Sequence, residues 1–126
     1  MRIAGLAYPG KKIIAMFKTT NIHGAQLVCA DSLQFIKTIP DNSVNLIATD
    51  PPYFGVKANA WDNQWDSDAD FLGWIDEFLA EFWRILAPNG SLYMFTGSRL
   101  ASKIELLTRD RFNVLNHIIW AKPSGM

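Results

Sequence analysis

The chain has 126 residues, twelve Lys plus Arg against twelve Asp plus Glu, and is 49% hydrophobic and 13% aromatic, which excludes a disordered tail, argues weakly against autonomous tight DNA binding and reads as one globular domain. A chain of this size buries roughly two-thirds of the surface its unfolded form exposes, enough for a core without disulfides or structural metal. The single cysteine, Cys29, the absence of any CxxC spacing and the lack of a long apolar run together predict a reducing cytoplasmic compartment, no structural zinc, no signal peptide and no membrane span.

Residues 1–24 read as an N-terminal extension and 25–126 as the folded unit. Ala25 to Ala30 is a short apolar strand. Asp31, with Gln34 three positions on, has the form of a capping box opening a helix to Ile39, and Pro40, Asp41 and Asn42 break it. Val44 to Thr49 is a buried-looking strand that must end at Asp50-Pro51-Pro52-Tyr53, because proline cannot donate to a ladder. The stretch from Phe54 to Ser67 is irregular and rich in Trp, Asn, Asp and Gly, and long ordered connections of this kind are usually functional. Ser67 with Asp70 offers a second capping box, and the apolar spacing from Phe71 to Leu86 predicts a long helix that stops at Pro88-Asn89-Gly90. Ser91 to Thr96 then reads as a strand, Arg99 to Thr108 as an amphipathic helix, and Phe112 to Trp120 as a final strand. Alternation of this kind predicts an α/β fold.

Asp50-Pro51-Pro52-Tyr53 carries the most chemistry. Asp-Pro is also a common turn opener, but this one follows a buried strand, at the carboxyl edge where open α/β sheets place their ligands. Asp50 presents a carboxylate and Pro51 a backbone carbonyl, two acceptors within one residue, while Tyr53 supplies a flat face. An exocyclic amine on a nucleobase is a poor nucleophile because its lone pair is delocalised into the ring. Two acceptors taking its hydrogens favour a pyramidal nitrogen, and an aromatic ring can stack an extruded base.

The segment VCADSLQFIKTIPDNSVNLIATDPPY, from Val28 to Tyr53, resembles the S-adenosylmethionine-dependent DNA amino-methyltransferases, the N6-adenine and N4-cytosine enzymes. The stretches from Trp61 to Phe95 and from Arg111 to Gly125 are similar to later segments of the same family, particularly its phage and prophage adenine-specific members. The resemblance implies a Rossmann-like methyltransferase fold, here partial, with about four of seven strands, and makes 25–126 a partial catalytic domain. It further implies methyl transfer from S-adenosylmethionine to N6 of a flipped adenine in double-stranded DNA, with N4-cytosine as the alternative; Asp rather than Ser at the first motif position is the form associated more often with adenine. On this resemblance Asp50, Pro51 and Tyr53 hold the target base and Pro52 shapes the loop. Ala30, Asp31 and Ser32, with Asp50, border the cofactor, although Asp31 serves equally well as a helix N-cap. Trp120 and Lys122 match a segment near the base pocket, and also fit a core Trp and a surface Lys.

One departure matters. The family's cofactor anchor is a Phe-x-Gly-x-Gly element, and no Gly-x-Gly occurs here. In the permuted branch of the family that anchor follows the Asp-Pro-Pro-Tyr motif and a recognition region, so the expectation is an amino-terminal portion, inactive alone, whose unpaired surface favours self-association or a missing C-terminal half. Charge is uneven as well: positions 1–30 carry +4, 31–90 carry −7 and 91–126 carry +3, so a DNA grip is expected in a recognition region outside this chain. Three further patterns carry little: Gly5 to Lys12 only approaches a P-loop, Asp66-Asp68-Asp70 with Glu77 approaches a calcium loop but has Phe71 where glycine is required, and His23 and His117 stand alone, His117 as a structural residue of the last strand. No metal is predicted.

Overall fold

The computed structural model describes residues 17–56 and 60–121. Within them, Lys18–Ile22 (β1) and Ala25–Cys29 (β2) form an antiparallel hairpin with five paired positions, from Lys18 opposite Cys29 to Ile22 opposite Ala25. Its two-residue turn places His23 at φ 47° and Gly24 at φ 82°, the double positive φ of a tight hairpin. The sequence reading ends its extension at residue 24 and misses β1, whose Thr-Thr-Asn run and following glycine are a weak hairpin signal.

Ser32–Ile36 (α1) is a short helix capped by Asp31, whose Oδ1 accepts from Gln34 N at 2.9 Å. Val44–Thr49 (β3) and Leu86–Met94 (β4) pair in parallel, linked by the long helix Asp68–Ile85 (α2), which makes a β-α-β crossover. Ser67 Oγ accepts from Asp70 N at 3.2 Å and donates to Asp70 Oδ2 at 2.7 Å, so the N-cap that the spacing predicts forms, while the Asp70 carboxylate takes the Ser67 hydroxyl and not its backbone N–H. Phe71, Ile75, Phe78, Leu79, Phe82 and Ile85 are the buried stripe of α2, and they meet Val44 and Ile47 of β3, Ile36 and Ile39, and Leu100 and Ile104 in one core. Ala101–Arg109 (α3) follows β4 and packs on α2.

Two expectations are corrected. The Pro88-Asn89-Gly90 stretch does not separate helix from strand: Leu86 already pairs with Val44, residues 87–90 bulge out, and pairing resumes with Ser91 opposite Leu46. Gly90 is required in that bulge, since a Cβ there would lie 2.8 Å from Leu86 Cγ. The final strand does not form, because 113–121 have no regular structure and Leu115, Ile118, Ile119 and Trp120 are exposed. A strand needs a neighbouring edge for its N–H and C=O groups, and among the described residues none is paired with this one. The described residues are therefore mixed α/β with two small sheets, β1-β2 and β3-β4. No helix among the described residues is long and apolar enough to cross a membrane.

Candidate active site

β3 delivers Asp50 at its carboxyl end, and Thr49, just before it, closes the ladder by accepting from Phe95 N at 2.9 Å through its carbonyl. Asp50 is exposed, Pro51 is buried, and Pro52 and Tyr53 are half-buried. Tyr53 O–H donates to Asp50 Oδ1 at 2.5 Å, so the motif's carboxylate and its aromatic ring are held side by side. Burial first, then this hydrogen bond and the charges of Asp50 and Asp62, push the Tyr53 phenol up to about 12. The Thr49 hydroxyl, buried beneath the site, has no hydrogen-bond partner among the described residues.

The turn after Tyr53 closes with Val56 N donating to Tyr53 O at 3.1 Å, and Gly55, at φ 72°, takes the position where such a turn needs a left-handed residue. Asp62, buried at the end of a single 3-10 turn (Ala60–Asp62), accepts from Tyr53 N at 3.3 Å. On the other side, Gly97 follows β4 so closely that a Cβ would lie 3.3 Å from Tyr53 Cβ and 3.2 Å from Val56 Cγ2. Pro51, Pro52, Tyr53, Val56, Phe71, Gly97 and Arg99, among others, line a shallow open hollow beside this turn. Asp62, Gly97 and Arg99 were not singled out from sequence. Gly-x-Arg directly after a strand was the available signal for two of them, whereas Asp62 is one acid among several in its segment.

The expected cofactor residues lie apart from this hollow. Ala30, Asp31 and Ser32 follow β2, in the other sheet, and do not line it. Asp31 spends one carboxylate oxygen on the α1 cap; the exposed side chain retains a second, which suits the amine of an adenine or a ribose hydroxyl. Among the described residues, the space beside Gly55 is taken by the Arg99 guanidinium and that beside Gly97 by Tyr53 and Val56, so neither of these glycines opens a cradle for the methionine half.

Other expected residues are resolved differently. Trp120 is exposed, its ring 6.1 Å from that of Phe95, so it is not a core Trp. His117 is exposed too, with Nδ1 3.3 Å from Glu105 Oε2, and is no part of a strand. Asp68, of the acidic turn, is taken by Arg99 at 2.8 Å and Lys103 at 3.5 Å, which hold its carboxyl below the usual range. Lys122 and the Gly5 to Lys12 stretch lie outside the described residues.

Comparison with known proteins supplies the family. The DNA methylase family model, for N6 and N4 methyltransferases, matches residues 44–126. The chain is 35% identical over 107 residues to the DNA adenine methyltransferase YhdJ of Escherichia coli strain K12, covering 84% of this chain and 34% of that protein. It is 32% identical over 104 residues to the type II methyltransferase M.HpaI of Haemophilus parainfluenzae, covering 80% of this chain and 33% of that one. With the type II methyltransferase M1.MboII of Moraxella bovis the figures are 35% over 116 residues, 88% and 40%. The chain thus spans about a third of the length of the first curated relatives it matches. Strand end, Asp-Pro-Pro-Tyr turn and matched segment coincide, and the chain belongs to the DNA methylase family, the S-adenosylmethionine-dependent DNA amino-methyltransferases.

Proposed function

We propose that the chain is the target-base portion of an adenine-specific DNA methyltransferase acting on N6 in double-stranded DNA, in the cytoplasm of a bacterium or phage-infected cell. The observation that carries this reading is the Asp50–Tyr53 pair, an exposed carboxylate beside an aromatic ring at the carboxyl end of a parallel strand. The Escherichia coli relative is a DNA adenine methyltransferase, which favours adenine over N4 of cytosine. A Rossmann-like sheet larger than the four strands described belongs to the same proposal.

Asp50 Oδ1 and the Pro51 carbonyl are assigned the two hydrogens of the target amine. Both acceptors draw the nitrogen lone pair out of conjugation, and their charge and dipole are aimed at the positive charge that develops on nitrogen as it attacks. Tyr53 stacks the flipped base and Pro52 stiffens the turn, so orientation costs little at the moment of reaction. Asp50 Oδ1 accepts from the Tyr53 hydroxyl in the free protein, and the carboxylate's remaining lone pairs are open to the amine. The chemistry that S-adenosylmethionine supplies when bound is an electrophilic sulfonium methyl. Asp31, with Ala30 and Ser32, is assigned the adenosine end of that molecule.

The test is methylation of adenine in duplex DNA by a full-length context containing this chain. Asp50→Ala is expected to reduce kcat by about 100-fold or more, as loss of one preorganised electrostatic partner does; near-normal methylation by that variant would reject the assignment. The 126 residues alone are expected to transfer methyl groups poorly, because no Gly-x-Gly is present.

A second reading has its own observation. Leu46 and Tyr93 on the sheet, with Leu115, Ile118 and Ile119 beyond α3, are exposed, which favours a module that assembles with itself or with a cofactor-binding chain. A monomeric mass in size-exclusion chromatography, alone and with that chain, would exclude it.

A further inference from the structure

Arg99 sits two residues before α3, 45 positions from Phe54 in sequence, yet its Nε and Nη2 both donate to the Phe54 carbonyl, at 3.3 and 3.0 Å. Nη2 also pairs with Asp68 Oδ1 at 2.8 Å, and the guanidinium carbon lies 5.4 Å from the centre of the Phe54 ring. A Cβ on Gly55 would come within 2.8 Å of Nη2 and 3.0 Å of the guanidinium carbon. A side chain at residue 55, already disfavoured by its φ of 72°, would have to displace the guanidinium. One side chain on a third element ties together both ends of the connection between β3 and α2, Phe54–Gly55 at its start and Asp68 at its end.

The ion pair alone does not account for this arrangement. Both partners are well exposed, and such pairs contribute little. What distinguishes Arg99 is its fork on a carbonyl one residue after Tyr53. The Tyr53 backbone is bonded on both sides within the same turn, to Asp62 through its N–H and to Val56 through its carbonyl. A displacement of Phe54 is thus passed to the Tyr53 ring and to its bond with Asp50. Lysine cannot reproduce the fork, because an ammonium is a point donor and the guanidinium is a planar one.

We propose that Arg99 is a positioning residue of the Asp-Pro-Pro-Tyr site, holding the Tyr53–Val56 turn and the start of α2 in the one arrangement that sets the Tyr53 ring beside Asp50. The inference rests on the base-pocket reading above for its functional consequence, but not for its structural one.

Amide hydrogen exchange of the 126-residue chain tests it, with Arg99→Ala, Arg99→Lys and Gly55→Ala. Arg99→Ala is expected to speed exchange at Tyr53, Gly55 and Val56 by roughly tenfold, the loss of charge-assisted bonds to one local unit, with the β3–β4 ladder and the middle of α2 unchanged. Gly55→Ala is expected to act in the same direction, and Arg99→Lys to restore part of the protection. Unchanged exchange at those three amides in Arg99→Ala overturns the proposal, as does an equal acceleration over the whole chain, which would make Arg99 a general stabiliser. A second measurement is the affinity for a duplex carrying 2-aminopurine at an unpaired position, expected to fall about tenfold in Arg99→Ala. Local loosening with undiminished affinity overturns the positioning role. If the parent chain shows no affinity for that probe, as a DNA grip lying outside this chain would give, the exchange result alone decides for or against Arg99.

Discussion

Asp50 and Tyr53 hold each other in the free protein, and the phenol records it. With its pKa pushed from 10.0 to about 12, the folded chain favours the neutral ring. That contribution to stability is complete below about pH 10 and is lost as pH rises through about 12. A near-ultraviolet phenolate titration, taken as the difference between the parent and Tyr53→Phe, is expected to show this late ionisation. Asp50→Asn is expected to bring it down, because it removes a carboxylate acceptor and a nearby negative charge. An ordinary titration for Tyr53 in the parent would contradict the observed bond. One residue earlier, the buried Thr49 hydroxyl has no partner among the described residues. Valine has the same branched shape without the unmet polar group, so Thr49→Val is expected to raise stability by about 0.5–2 kcal/mol in urea denaturation. A loss of stability would mean that the hydroxyl has a partner in solution.

At the scale of elements, the helix α2 organises the chain from both ends. Its N-terminus is capped by Ser67 and tied to Arg99 through Asp68, and its C-terminal carbonyls at Arg84 and Ile85 accept from Asn42 and Ser43 at 3.0 and 2.8 Å. These bonds satisfy acceptors that a helix end leaves open. Arg84 adds a clamp: Nη1 donates to the Ile39 carbonyl at 2.8 Å and to Asp41 at 2.6 Å, and Nη2 donates to the Ile36 carbonyl at 3.0 Å and to Glu81 at 2.6 Å. The end of α1, the turn before β3 and the last turn of α2 are thereby fixed together, and with them the direction in which β3 delivers Asp50. Arg84→Ala is expected to lower stability by about 1–3 kcal/mol, since two carbonyls lose their charged donor. Arg84→Lys should recover only part, for want of the fork. A change within about 0.5 kcal/mol would place Arg84 among ordinary surface residues.

For the whole molecule, the described residues build their core around α2, which packs on the β3–β4 pair with α3 against it, while Leu46 and Tyr93 on that sheet, with Phe95 just beyond it, remain exposed. The segment 113–121 adds Leu115, Ile118 and Ile119 to the exposed apolar surface. Exposed apolar side chains of this kind promote association. Replacing Ile118 and Ile119 with Lys is expected to leave the unfolding free energy within about 0.5 kcal/mol per site, as for other surface positions, while reducing concentration-dependent light scattering. Strong destabilisation would show that the segment packs in solution.

The amino-acid order determined the Asp50-Pro51-Pro52-Tyr53 turn at a strand end, the two helix caps, the apolar stripe of α2 and the family, because each is written in neighbouring residues or in spacings of three and four. A cap needs one side chain and the N–H three positions on; a proline ends a ladder wherever it stands. The chain packing alone decided the rest. Arg99 reaches Phe54 and Asp68, and Arg84 reaches Ile36 and Ile39, across separations with no local signature, so their roles exist only once α2 has laid its stripe on β3. The same dependence undid the final strand: Phe112 to Trp120 has the pattern of one, but a strand is made by the edge it pairs with, and pattern supplies side chains, not a partner for the backbone.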